Sequence, residues 1–529
     1  MIRLRQLKLN ITSEQNLKEK VAKVLNIPVT DIIDLTIIKK SLDARKKDNL
    51  FYVYEVDVKT NLEDKILKYN KSQDIFISPK EDYIFPVQGP YLKDGKIIIV
   101  GTGPAGLFAA YILAEQGIKP VIIERGEKVE DRITTIEHFW ETGILNPNSN
   151  VQFGEGGAGT FSDGKLNTLV KDKMFRGKKV FEIFVENGAP QEIMYENKPH
   201  IGTDILRKVI INIRNKIISM GGEFHYNTCL TNINIENNQL KSIEINNSQT
   251  IPCNHLVLAI GHSARDTFEM LYNKNIEMSA KPFAVGVRIE HPQEMINISQ
   301  YGEKFHKLLP PASYKLTYTT KDNRGVYSFC MCPGGYVVNA SSENNRLVVN
   351  GMSNYKRDTA NANSALVVTV SPKDFGSHPL SGIAFQRKLE EQAYLLGKSH
   401  IPLQLYKDYK SNKTTTSLGD ITPSIKGTYS YSNLNELFPN YINDSLQEAI
   451  EYFGKKINGY NRDDAILLGV ESRTSSPVQI KRDEDGLSSI KGIYPCGEGA
   501  GYAGGITTAA MDGIKTAENL AKIIKIKKD

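Results

Sequence analysis

The stretch from Lys96 to Arg125 limits the fold of this chain more than any other. It reads Lys-Ile-Ile-Ile-Val-Gly-Thr-Gly-Pro-Ala-Gly-Leu and ends Val-Ile-Ile-Glu-Arg. Ile97 to Val100 is a short apolar run rich in β-branched residues, the pattern of a strand buried on both faces. Gly101, Gly103 and Gly106 follow at dinucleotide spacing. Gly101 serves the tight turn, Gly103 the close approach of backbone to a pyrophosphate, and Gly106 the close packing of helix on strand. Pro104 and Ala105 open the helix. Leu107 to Gln116 continues it, with Gly117 as its C-cap. Its first turn offers unpaired N–H groups and a positive dipole end to a phosphate. Val121 to Ile123 predicts a second strand. Glu124 at its end is placed to accept hydrogen bonds from ribose hydroxyls, with Arg125 beside it. The unit implies an ADP-binding turn rather than a bland βα connection. Alone, it does not separate FAD from NAD.

The 529 residues allow two to four domains. A net charge of +6 over that length is too mild to argue for nucleic acid or a membrane as partner. The start has no signal-peptide core, and no run of about 18 apolar residues exists. Five cysteines in so long a chain are no disulfide framework, so a reducing, cytoplasmic setting is expected. Cys229, Cys253 and Cys496 lack ligand spacing, so no metal is expected. The basic tail, Ile523 to Asp529, reads as a solvated helix end.

In chain order, residues 1–90 read as an α+β domain with its linker. Ile2 to Ile11 alternates as a strand, Ser13 caps a helix to Leu25, and Ile32 to Lys39 and Phe51 to Val58 are strands. The charged loop Ser41 to Asp48 between them is a solvated connection or a docking site for a partner. Ser78 to Gly95 is the linker. Residues 91–280 hold the first part of a doubly wound, Rossmann-like α/β domain. It includes helices over Arg132 to Trp140 and Asp204 to Met220. Strands are expected over Phe224 to Leu230, Asn232 to Glu236 and Leu240 to Ile245, and in the buried stretch Asn254 to Arg265, where Gly261 turns the chain. Residues 281–415 read as a mainly antiparallel β insertion over the substrate, and 416–529 as the return to the first domain.

Two further stretches stand out. Asn146 to Thr168 packs Gly154, Gly156, Gly157, Gly159 and Gly164 into eleven residues, which leaves successive N–H groups uncovered. Val151, Phe153, Phe161 and Leu166 are expected to anchor this loop to a core. Later, Tyr494-Pro-Cys-Gly497-Glu498 precedes Gly504-Gly505, which open a helix of small residues from Ile506 to Leu520.

Together, the Gly101 to Gly106 turn, the Leu256 to Gly261 strand and turn, and the Tyr494 to Ile506 segment resemble the glutathione-reductase-like FAD oxidoreductases. That resemblance implies that Gly497 and Glu498 meet the ribityl and pyrophosphate. It also implies that the helix start at Gly504, Gly505 and Ile506 faces the flavin's pyrimidine edge. More closely, Asn150 to Leu166, Lys198 to Asp204, Ser328 to Gly335 and Asn350 to Ser353 look like the bacterial group known as uncharacterised FAD-dependent dehydrogenases, or NAD/FAD-utilizing dehydrogenases. The match runs nearly end to end. It implies FAD and redox chemistry on a small molecule and names no substrate. No second glycine fingerprint appears, so NAD(P)H enters only as a transient electron donor.

The cofactor contacts expected from the glycine-rich loop are Gly156, Gly157, Gly159, Thr160 and Ser162. Lys165 is a candidate to carry positive charge toward a reduced flavin, or else pairs with Asp163. Cys330 and Cys332 would point the same way in an extended strand, as a redox pair, a flavin-facing thiol or plain packing. His200, His262 and His378 are acid/base candidates, and Arg265 and Arg357 candidates for an anionic substrate. Reduced flavin would draw about 0.3–1 kcal/mol of stabilisation from a helix N-terminus. The sequence thus points to an FAD-dependent oxidoreductase passing a hydride or two electrons to or from a small organic substrate. The rivals are a flavoprotein acting on RNA through Asp43 to Lys47, and a non-catalytic FAD protein whose N-terminal domain binds a protein partner.

Overall fold

The computed structural model describes residues 1–91 and 96–525; residues 92–95 of the expected linker and the last four residues of the basic tail lie outside them. Five parallel strands form the sheet at the centre of the cofactor turn. Their spatial order is Ile493–Pro495, His255–Leu258, Ile97–Val100, Val121–Ile123, Glu223–His225. The helices Pro104–Glu115 and Ile506–Ile524 pack on it and on each other. The Pro104–Glu115 helix is apolar all round and buried from Ala105 to Ala114, as a helix sandwiched between sheet and helix must be. Gly117, at φ +78°, ends it. This is the doubly wound α/β architecture expected.

The N-terminal unit has one more helix and one more strand than the sequence indicated. Strands Ile2–Asn10, Asp34–Asp43, Phe51–Lys59 and Ile75–Ile77 form one antiparallel sheet, with helices Leu17–Leu25 and Glu63–Tyr69. Asn16, not Ser13, caps the first helix: its side chain accepts from Glu19 N at 2.9 Å. Ser13 is spent locally on Gln15 N. The second strand runs on to Asp43, so part of the expected charged loop is sheet.

The mainly antiparallel sheet has seven strands and runs past residue 415, where the insertion was expected to end. Phe283–Pro292 at its middle pairs with Asn361–Val370 on one side and Ile466–Glu471 on the other. Ile401–Leu405 and Tyr429–Tyr431 extend the second side. The chain rejoins the parallel sheet only at Ile493–Pro495. Phe224 to Leu230 is likewise not one strand: Glu223–His225 belongs to the parallel sheet and Leu230–Glu236 to a separate three-stranded one. Among the described residues no helix is long and apolar enough to cross a membrane, and no three potential metal ligands cluster.

Candidate functional site

Both glycine-rich turns and the start of the last helix open into one cavity of about 1070 Å³. Gly101 must be glycine: at φ +98° its Cβ would lie on Ala259 O. Gly106 has the expected packing role, since a Cβ there would strike Gly101 O, and it does not line the cavity. Gly103 does, and its Cβ would meet only Gly157 Cα, at 3.9 Å. The glycine-rich loop thus lies against the first turn, backbone to backbone.

That loop is fixed, not mobile. Val151 and Phe161 are fully buried, Phe153 nearly so, and Leu166 joins the central core. Its clamp is a residue that sequence reasoning missed. Arg132, on the Val129–Thr142 helix, is wholly buried. It donates to the carbonyls of Asn150, Val151, Gly154, Glu155 and Gly157 at 2.6–3.2 Å. Glu155, also buried, accepts from Val129 N, Tyr226 Oη and Arg214. Gly156 and Thr160 lie beneath the loop and do not reach the cavity: Thr160 is buried, and its carbonyl accepts from Thr203 Oγ1. Gly157, Gly159 and Ser162 do line it, as do Pro104, Ala105, Arg125 and Gly261.

Glu124 stands where the sequence placed it, but its carboxylate is already engaged. Oε2 accepts from Thr102 N and Oγ1, and Oε1 from Gly126 N and Gly154 N, at 2.7–3.0 Å. Four acceptor sites meet four donors. A further donor would reach this carboxylate only by displacing one of them, of which the Thr102 hydroxyl alone can rotate away. Arg125 is held on Asp266 and stacks on Phe153 at 4.4 Å.

On the far side, Glu498 lines the cavity and meets His262 Nδ1 at 3.0 Å. Gly497 lies behind it, donating to Asp512 Oδ2 at 2.7 Å. Gly504, Gly505 and Ile506 line the cavity, and a Cβ on either glycine would meet nothing within 4 Å. Thr507 Oγ1 donates to Leu166 O at 2.6 Å, tying the last helix to the glycine-rich segment. The residues fit a dinucleotide. Three bare glycines face open space, two helix N-termini open into it, and His262 Nε2 and Tyr314 Oη have no protein partner among the described residues.

The candidate catalytic groups sort themselves. Lys165, His200 and Cys330 all line the cavity. Lys165 pairs with Asp163 at 2.7 Å, and Arg357 closes on the same carboxylate at 2.6 and 2.9 Å. Burial works against the Lys165 charge, but Asp163 outweighs it and holds the ammonium above its usual range. His200 stacks on Tyr355 at 5.3 Å, with Nε2 3.1 Å from Tyr355 O. Burial, and then the Arg357 charge, push it down to about 4, so it is neutral at pH 7. Cys330 and Cys332 are not neighbours in an even strand. A bulge falls between Phe329 and Cys332, Cys330 takes φ +42°, and only Cys332 is buried. Arg288, fully buried beside Glu471, holds the bulge by donating to Cys330 O at 3.1 Å. Cys330 opens onto the cavity, yet the walls packed around it desolvate the thiol and raise it to about 11, leaving it protonated at neutral pH.

Two of the substrate-binding and acid/base candidates lie outside the cavity. Arg265 is buried among Glu343, Glu390 and Gln386, where with Arg473 it forms an ion cluster between the two large units; it does not line the cavity. His378 packs against Tyr272 outside the cavity.

Residues 94–133 match the family model described as FAD binding domain. Residues 282–474 match that of the FAD-dependent protein, C-terminal domain-like, and residues 1–59 a domain of unknown function. An uncharacterized protein of Clostridium beijerinckii is 50% identical over 98% of each chain. Among solved structures, glycine oxidase from Bacillus cereus is 10% identical, over 81% of this chain and 95% of that one, at a TM-score of 0.35. L-proline dehydrogenase from P. horikoshii is 15% identical, over 82% and 95%, at 0.34.

Proposed function

The chain belongs to one family with the Clostridium beijerinckii protein, and on that premise we propose that it is an FAD-dependent oxidoreductase acting on a small organic substrate. The observation that carries the reading is the meeting, in one cavity, of the Gly101 turn, the clamped glycine-rich loop and the N-terminus of the Ile506–Ile524 helix. The Pro104–Glu115 helix, through Ala105, faces its positive end toward the place of a pyrophosphate. Glu124 and Glu498 stand at the two ends as acceptors. Gly157 and Gly159 let a flat ring lie against main chain.

Bound FAD supplies hydride or two-electron transfer. The protein's part is to hold charge around it. The Gly504 to Ile506 turn and the Lys165 ammonium both bring positive potential to the cavity, which favours an anionic reduced cofactor. His200, neutral at pH 7, is able to take a proton at whichever ring nitrogen is left free by the Tyr355 carbonyl. Cys330, protonated, is a cavity wall rather than a nucleophile.

The visible spectrum of the purified protein, followed by anaerobic NADH and then NADPH, tests this. Flavin bands are expected. Bleaching within seconds identifies a nicotinamide donor; persistence points to the substrate, or to another reductase, as the source of electrons. A colourless protein that FAD does not reconstitute refutes the reading.

A further inference from the structure

Beyond the cofactor turns the cavity continues into an arm of different chemistry, and its interpretation rests on the oxidoreductase reading above. The arm is walled by the end of the Asp34–Asp43 strand and by residues near 195, 310 and 355. Six cations line it: Lys40, Arg45, Lys165, Lys198, Lys315 and Arg357. Three carboxylates, Asp163, Glu192 and Glu196, stand against them.

The local pairings leave positive charge over. Lys40 takes Glu196 at 2.7 Å, and Arg45 closes on Asp43. Asp163 serves both Lys165 and Arg357. Lys198 reaches only a hydroxyl, Ser313 Oγ, at 3.2 Å, and among the described residues no carboxylate pairs with Lys198 or Lys315. Arg357 spends Nε and one terminal nitrogen on Asp163, and its other terminal nitrogen bonds to no described residue. Desolvation by the cavity walls, and then the Arg357 charge, lower the Lys198 ammonium below its usual range. Tyr52, Tyr301 and Tyr355 supply flat apolar surface in the same arm.

We propose that this arm binds the anionic end of the substrate, a carboxylate or a phosphate, on Lys198, Ser313 Oγ and the free edge of Arg357, with the tyrosine rings against its carbon skeleton. Asp163 is then a positioning residue, aiming Arg357 into the arm while it holds Lys165 inward. The N-terminal unit completes the pocket through Lys40 and Tyr52.

The flavin-loaded protein is titrated by calorimetry, with the flavin bands recorded in the same sample, against benzoate, phenyl phosphate and neutral benzamide. At least one anion is expected to bind and benzamide not to, and the tighter anion tells carboxylate from phosphate. Lys198→Gln is expected to weaken that anion by at least about tenfold with flavin content unchanged, and Lys315→Gln to weaken it less. Equal binding of benzoate and benzamide, no binding of either anion, or unchanged affinity in both variants would overturn the assignment while leaving the flavin reading intact. A preparation without flavin bands overturns the cofactor reading and this one with it.

Discussion

Arg132 offers the sharpest test of how the glycine-rich loop is held. Arg132→Met keeps an unbranched side chain against Phe161, whose ring the guanidinium covers at 4.9 Å, but removes all five bonds to loop carbonyls. Three of those carbonyls keep another donor: Gly154 O has Gly157 N, Glu155 O has Thr160 Oγ1, and Gly157 O has Thr160 N. Asn150 O and Val151 O have no other among the described residues. An orphaned buried carbonyl costs about 1–3 kcal/mol, so two cost about 4 kcal/mol, a large share of the roughly 5–15 kcal/mol that holds a typical domain together. The same loop packs on Gly103, so its loosening also disorders the place of the pyrophosphate. Denaturant unfolding and flavin absorbance are measured on the purified variant. A lowered midpoint with little bound FAD is expected. Full flavin content, with stability within about 1 kcal/mol of the parent, would refute the clamp.

Gly103→Val should fold normally, because a Cβ there meets only Gly157 Cα at ordinary contact and φ is −66°; it should emerge without flavin bands, and retained flavin would remove the pyrophosphate from this turn. Glu124→Gln puts an amide among four donors and should cost about 1–3 kcal/mol in unfolding free energy and weaken FAD retention on dialysis. Glu290, buried against Ser424 N, has its carboxyl raised by burial to about 8. Folding therefore takes up a proton between the ordinary carboxylate range and pH 8, and stability falls as pH rises through that window. Glu290→Gln should flatten the fall, seen as a higher thermal midpoint at pH 8.5 than the parent; an unchanged midpoint at every pH contradicts the buried-acid account. Cys330 should resist alkylation at pH 7 and yield to it near pH 10, because its thiol is held protonated; rapid reaction at pH 7 would mean a thiolate in the cavity.

The cofactor turn was legible because its signals are local. Strand, glycines, helix and acid follow within thirty residues, and each dictates its neighbour's geometry. The seven-stranded sheet was legible as strands but not as a sheet. That Ile466–Glu471 sits beside Phe283–Pro292 depends on pairing across nearly two hundred residues, which no period in the chain records. The structural roles of the buried arginines were illegible for a different reason. Arg132, Arg265 and Arg288 lie in helices and strands where arginine is ordinarily a surface residue, and their partners are carbonyls and carboxylates brought in by the fold. The one hint was indirect: a loop so rich in glycine exposes carbonyls that something must satisfy. Lys165 and Asp163 were found because they sit inside that loop, whereas the contact of Lys40 with Glu196 joins units with no shared motif.

The strand order of the parallel sheet also sets a sequence of events in time. During synthesis, Ile97–Val100 and His255–Leu258 can pair early, but the outer edge of His255–Leu258 waits for Ile493–Pro495. The helix Pro104–Glu115, apolar on every side, is covered only when Ile506–Ile524 arrives and lays Gly513 against Ala105 O. The chain must be synthesised through Ile524 before the floor of the cavity is sealed. Until then an apolar helix and an unpaired strand edge stay exposed, the kind of surface that favours off-pathway association.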